Sequence, residues 1–229
     1  VELKPLTKIQ KLSAQNLHRA WLNIPHVTQF DEADITELEA FRVAQKDALK
    51  AQGVSLTVLS FLVKACAYVL KQYPKFNASL SKDGEQLILK HYIHIGVAVA
   101  INDGLVVPVI RFADNKSLSQ ISAETGDLAE RAKNRKLQPA DWEGNTFTIS
   151  NLGMMGIEEF TAIINPPDAC ILAVGGIQQV PVVKNGQVVP GNVMKLTMSC
   201  DHRVVDGAVG AKFLQTLKQY LEDPVRMLV

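Results

Sequence analysis

Cysteine is scarce in this chain: three in 229 residues, Cys66, Cys170 and Cys200, none in a CxxC pair and each within an apolar run. That excludes a disulfide-stapled scaffold and a cysteine-rich zinc site; an odd count in such settings reads as reduced, buried thiols of an intracellular protein. Charge of one sign is lacking too. A formal net charge of +1 provides no global field for nucleic acid or an anionic membrane. No apolar run is long enough to span a bilayer, since Val54 to Leu70 is interrupted by Ser55, Thr57, Ser60 and Lys64. The N-terminus lacks the regions of a signal peptide. Among five histidines, no pair has HExxH spacing, and the glycine pairs Gly153/Gly156 and Gly175/Gly176 match neither the P-loop nor the dinucleotide fingerprint. Repeats, low-complexity tracts and linkers are absent as well.

What remains is a chain that is 47% hydrophobic, enough for a substantial core. Thr7 and Gln10 predict a capping box ahead of a helix with Ile9, Leu12, Leu17 and Trp21 at helical spacing, ended by Pro25. His26 to Phe30 alternates like a strand. Asp34 with Glu37 predicts a second helix with an apolar face of Leu38, Phe41, Ala44, Ala48 and Leu49, closed at Gly53. Leu56 to Tyr73 is apolar nearly all round and reads as a central helix stopped by Pro74. Asp83-Gly84 predicts a hairpin turn, followed by strands at Leu87 to Leu89 and Tyr92 to Ile101. The turn Asn102-Asp103-Gly104 leads into Leu105 to Arg111, where Pro108 requires an edge or a bulge. An amphipathic helix follows over Ser117 to Lys136. Strands come next at Asn145 to Ser150, Ala169 to Val174 and Val193 to Ser199, then a closing helix from Gly207 to Leu221. The order predicts one α/β domain over residues 1–229, helices covering a mixed sheet.

The richest stretch chemically is Ser199-Cys200-Asp201-His202-Arg203-Val204-Val205-Asp206-Gly207, at a strand-to-helix junction. Such a junction exposes a side chain on an anchored backbone, and an imidazole suits proton transfer near neutrality. Spacing alone leaves two readings open: His202 as a general base, or a surface turn in which Asp206 caps a helix and Arg203 neutralises it. Ser150 ends a strand without a GxSxG elbow, so it reads as a turn residue or as a donor to a developing oxyanion. Of the other histidines, His94 is expected on the polar face of a strand, His18 exposed, and His26 structural.

Asp201-His202-Arg203-Val204-Val205-Asp206-Gly207 resembles the DHRxxDG signature of the 2-oxo-acid dehydrogenase acyltransferases, the E2 components. Phe147 to Gly153, Ile164-Asn165-Pro166-Pro167 with Ala169 to Leu172, Phe76 to Leu80 and Gly104 to Val109 are similar to further blocks of that family. The five blocks stand in register from about residue 4 to the end.

The resemblance implies a chloramphenicol acetyltransferase-like two-layer fold. It further implies acyl transfer between a dihydrolipoyl arm and coenzyme A, with His202 as general base, Ser150 stabilising the oxyanion and Asp206 as the signature carboxylate. It implies homotrimers with active sites at subunit boundaries, assembling into a cubic or dodecahedral core. Its lipoyl group would be carried on a separate domain, since no lipoyl or subunit-binding motif occurs here. The setting implied is a bacterial cytoplasm or a mitochondrial matrix. Ser150 and the pyruvate-like Ser199-Cys200-Asp201-His202 favour acetyl over succinyl. A branched-chain E2 core, which resembles this chain in carrying serine at that position, stays the alternative. The intact His202 and Ser150 disfavour a non-catalytic structural core. The apolar tail Val225 to Val229 is expected either to fold onto its own chain or to contact a neighbouring trimer. Asp206 is expected to matter less than His202, acting as a cap or through Arg203 or Arg19.

Overall fold

Six strands form the central sheet in the order β1-β10-β9-β8-β4-β7, in a computed structural model that describes residues 1–102 and 104–227. They are β1 (His26–Asp34), β4 (Ile95–Val97), β7 (Val109–Ile110), β8 (Phe147–Asn151), β9 (Cys170–Lys184) and β10 (Gln187–Asp201). β8 runs parallel to β4 and β9, and the other pairs are antiparallel, so the sheet is mixed as expected. Two small ribbons, β2 (Ala78–Leu80) with β3 (Leu87–Leu89) and β5 (Val99–Ile101) with β6 (Gly104–Val106), lie outside it.

The main core lies on one face of the sheet. Ile149, Leu172, Leu196 and Met198 point from the strands into helices α3 (Val58–Gln72) and α5 (Gly207–Glu222), where Phe61, Phe76 and Phe213 are fully buried. α2 (Thr36–Ala51) and α4 (Leu118–Lys133) complete that layer through Leu38, Ile121 and Leu128. α3 is buried nearly all round, and even Lys64 is inside, its Nζ donating to the carbonyls of Asp114 (3.0 Å) and Lys116 (2.6 Å). On the opposite face sits a smaller cluster in which Ala20 and Ile24, from and just after α1 (Lys8–Asn23), pack with Ile164 and Ile171.

The capping box of α1 forms, with Gln10 N–H donating to Thr7 Oγ1 (3.2 Å) and Thr7 N–H to Gln10 Oε1 (2.9 Å). Its apolar stripe does not enter the core: Leu12, Leu17 and Trp21 remain exposed. The expected run Tyr92 to Ile101 is broken at Ala98, whose N–H donates to Ile149 O (2.9 Å), so its halves join different sheets. Pro108 falls between β6 and the edge strand β7, as its missing donor requires.

β9 and β10 are far longer than expected. They continue as a hairpin through Asn185 (φ 52°) and Gly186 (φ 76°), the left-handed pair of a two-residue turn. The start of α2 also differs: Asp34 stays in β1, and its Oδ1 accepts from Thr36 N–H (3.1 Å). Of the anticipated turn at 102–104 and the apolar tail, Asp103, Leu228 and Val229 lie outside the described residues; Met227 is buried in the core. All three cysteines are free and buried.

Candidate functional site

His202 is the first residue beyond β10. Its N–H donates to Pro25 O (2.9 Å), and its side chain is exposed. The turn beneath it is built by Asp201, whose carbonyl accepts from both Val204 and Val205 N–H at 2.9 Å. The Asp201 carboxylate accepts from Arg203 N–H (3.0 Å), Nε (2.9 Å) and Nη2 (2.7 Å). This pair, buried on the aspartate side, holds the guanidinium above its ordinary range. The expected pairing of Asp206 with Arg203 therefore does not form: the adjacent Asp201 offers a fork-on-fork geometry with three donors, and Asp206 does not. Asp206 is the N-cap of α5, its carboxylate accepting from Val209 N–H (3.0 Å), and that bond draws its pKa down.

Ser150 lies near the end of β8 on the sheet face opposite the main core. Register places Thr148 beside Ile171 and Ser150 beside Ala173, with Ile149 on the core side. Ser150 and Thr148 line an open groove of about 550 Å³, with Ile9, Leu12 and Leu17 of α1, Trp142, Phe160 and Asn165 on its walls. The Ser150 hydroxyl makes no hydrogen bond to other described residues, so its donor is free for a guest. The rest of the lining is mostly apolar, with Ser13, Asn16 and Asn165 among its few polar side chains.

His202 and Ser150 of one chain do not meet. Ser150 pairs through Ala173 to Thr197 on β10, and His202 follows five residues later. At about 3.3 Å per residue this separates them by roughly 16 Å along the strand direction, in addition to two strand spacings. β9 lies between their strands, so the two side chains are well apart within one chain.

Between these two residues lies a buried polar cluster that sequence reasoning missed. Asp168 Oδ2 accepts from Asn145 Nδ2 (2.6 Å) and from the Thr148 hydroxyl (2.7 Å). Burial pushes the Asp168 carboxyl up to about 7, against the opposing pull of Thr148, Lys90 and Asn145. Asp168 Oδ1 and Lys90 Nζ are buried without a hydrogen-bond partner among the described residues. A carboxylate in a Pro-Pro-Asp loop reads as a solvated turn, and nothing local marks this one as interior.

His18 is exposed and His26 structural, as expected: its Nδ1 donates to Ile24 O (2.8 Å) while its Nε2 accepts from Ile164 N–H (3.0 Å). His94 departs from its expected place on a polar strand face. It precedes β4, is buried between Tyr92 and Phe112, and its Nδ1 accepts from Phe112 N–H (3.0 Å). Burial therefore holds its imidazole below the usual range. Among the described residues no group of three or more His, Cys, Asp or Glu is placed to hold a metal ion, and no helix is long and apolar enough to cross a membrane.

The whole chain, residues 1–229, matches the family model of 2-oxoacid dehydrogenases acyltransferase (catalytic domain). The chain is 51% identical over 223 residues to the dihydrolipoyllysine-residue acetyltransferase component of the pyruvate dehydrogenase complex of Azotobacter vinelandii, covering 97% of this chain and 35% of that protein. It is 50% identical to the component of the same name from Pseudomonas aeruginosa, over 97% of this chain and 41% of that one. It thus spans about two fifths or less of the length of these curated relatives. Among solved structures, the A. vinelandii dihydrolipoamide acetyltransferase, studied for the role of a serine, a histidine and an asparagine in its catalytic mechanism, superposes with a TM-score of 0.97 at 50% identity, covering 100% of this chain and 94% of that one. The cubic core of the pyruvate dehydrogenase multienzyme complex matches with the same TM-score, identity and coverage. Chloramphenicol acetyltransferase matches at a TM-score of 0.59 and 14% identity over 96% of this chain and 100% of that one, which shares the fold alone.

Proposed function

The chain belongs to the family of 2-oxoacid dehydrogenase acyltransferase catalytic domains, and from that premise we propose that it transfers an acetyl group between a dihydrolipoyl thiol and coenzyme A. One observation carries the reading. The serine, histidine and asparagine of the A. vinelandii enzyme are 52 and 4 positions apart, the spacing of Ser150, His202 and Asp206 in this chain. Aspartate stands here where that enzyme has asparagine.

The chemistry follows from the residues. A thiol of pKa about 8.5 is mostly protonated at neutrality, so the His202 imidazole takes the proton from the attacking coenzyme A thiol. The sulfur adds to the acetyl-thioester carbonyl, and the Ser150 hydroxyl donates to the oxyanion that forms. Collapse of the adduct breaks the bond to the dihydrolipoyl sulfur, which takes the proton back from His202. No acyl group rests on the protein, in keeping with three cysteines that are all buried.

His202 and Ser150 are well separated within one chain, on strands with β9 between them, which supports active sites completed by a neighbouring copy. The exposed apolar stripe of α1, on the wall of the Ser150 groove, supports a neighbour seated there. Trimers assembled into a cubic core, with lipoyl groups brought by separate domains in a bacterial cytoplasm, complete the proposal. Asp206 supports the site from its cap position and is not a proton carrier.

The test is acyl transfer from acetyl-, succinyl- and isobutyryl-CoA to dihydrolipoamide. Acetyl-CoA is expected to be preferred. His202→Ala is expected to lower turnover by about 10²–10⁴-fold, and Ser150→Ala by about 10²–10³-fold. Full activity in His202→Ala would overturn the mechanism, and a preference for succinyl-CoA would overturn the substrate.

A further inference from the structure

Asp168 stands between the strand of Ser150 and the turn of His202. Toward β8, its Oδ2 holds the hydroxyl of Thr148, which shares a sheet face with Ser150 two residues on. Asn145, just before that strand, is held by the same oxygen and also donates to Thr148 Oγ1 (3.3 Å). Toward β10, the next residue, Ala169, accepts at its carbonyl from Asp201 N–H (2.8 Å), directly before His202. Behind it, Asp168 N–H donates to the carbonyl of Asn165, a wall of the Ser150 groove, at 3.1 Å. The carboxylate of Asp168, a residue 4% exposed, thus anchors the serine's strand, while the backbone of residues 168 and 169 joins the groove wall and the turn of the histidine.

We propose, building on the acyl-transfer reading above, that Asp168 is a positioning residue: by holding Thr148 it sets where β8 presents the Ser150 hydroxyl to the oxyanion. Asp168 does not touch substrate. The Thr148 side chain is 1% exposed and packed against Ile171, so an acceptor for its hydroxyl fixes both its rotamer and the strand beside it. An oxyanion donor must sit within a few tenths of an ångström of its mark, so a small shift of β8 acts on the transition state more than on ground-state binding.

The charged and titratable groups facing Asp168 come from four elements. Lys90 follows β3, Arg19 lies on α1, Asp201 and Arg203 are at the end of β10, and Cys170 starts β9. Arg203 is committed to Asp201, and Lys90 Nζ has no hydrogen-bond partner among the described residues, which leaves Lys90 as the cation that most directly sets the charge state of Asp168. The carboxyl titrates near neutrality, so its hold on Thr148 varies over the pH range in which the protein would work.

The experiment measures kcat, KM and the pH profile of kcat for acetyl transfer to dihydrolipoamide in the assembled protein. Asp168→Asn and Thr148→Val are each expected to lower kcat on the order of tenfold, with KM for acetyl-CoA within about twofold. Lys90→Met is expected to move the acid limb of the kcat profile to higher pH, a shift that a purely structural role would not produce. Wild-type kcat in Thr148→Val together with a wild-type profile in Lys90→Met overturns the proposal, whether or not Asp168→Asn folds. If the wild type fails to acetylate dihydrolipoamide, the functional reading falls; if it is active and these variants match it, only the role of Asp168 does.

Discussion

Asp206 and Asp168 show how differently one side-chain type behaves at two sites. Asp206 is in water, its carboxylate held down by the N–H of Val209, so its part in stability is that of a cap. Asp206→Asn retains an equivalent cap, and its urea midpoint is expected to stay at the wild-type value, whereas Asp206→Ala is expected to lower it. Both are expected to remain more active than His202→Ala; an Asp206→Asn variant as inactive as His202→Ala would contradict a supporting role. Asp168 is the reverse case. Its carboxyl is raised in the folded state from 3.8 to about 7, so the protonated form is favoured by folding. That contribution is fully present below the unfolded pKa and is lost as pH rises through about 7. Wild-type thermal stability is therefore expected to fall more between pH 6 and 8 than that of Asp168→Asn, followed by circular dichroism at each pH. Equal slopes would refute the burial argument.

At the scale of elements, the turn that follows Ser150 is bound to β9 at a position where only glycine fits. A Cβ on Gly175 would stand 1.8 Å from Glu158 O, and Gly176 N–H donates to Ile157 O at 2.7 Å. Backbone cannot yield there as a flexible side chain would. Gly175→Ala is expected to cost about 1–3 kcal/mol by overpacking and to displace the 151–158 turn. Chemical denaturation and acetyl-transfer assays read the two effects, and an unchanged midpoint would show that the turn gives way freely. The long β9–β10 hairpin shows what was legible at this scale. Asn185-Gly186 between valine-rich runs is a strong hairpin signal, and the reading that stopped the strands at Val174 and Val193 passed over it. The break at Ala98 was not legible. An unbroken β-rich run carries no mark of which neighbouring strand each half will meet.

The whole molecule raises the question of where a complete active site exists. In a single chain His202 and Ser150 are two strand spacings apart and five residues offset along the strand direction. If neighbours complete each other's sites, His202→Ala and Ser150→Ala chains that are separately inactive restore activity when dissociated and reassembled together. Random mixing in equal amounts is expected to recover roughly a quarter of wild-type turnover, the share of boundaries where an intact histidine meets an intact serine. No recovery in well-formed mixed assemblies would place both residues of a working site in one chain. Sedimentation is expected to show a species larger than a monomer, its contacts covering the exposed stripe of α1.

Sequence alone determined the features that depend on near neighbours along the chain. The capping box at Thr7, the all-apolar α3, the stops at Pro25 and Pro74 and the strand-to-helix junction at His202 each follow from residues within one or two turns. The family blocks, by resemblance, pointed to the proposed reaction and to the residues proposed for it. Only the tertiary structure decided which carboxylate holds Arg203, that His94 is interior, and that Asp168 ties the strand of Ser150 to the loop beside the turn of His202. Those facts depend on which segments pack across the sheet and on how much water they exclude. A charged residue's burial is a property of its distant neighbours, and its own flanking sequence carries no record of them.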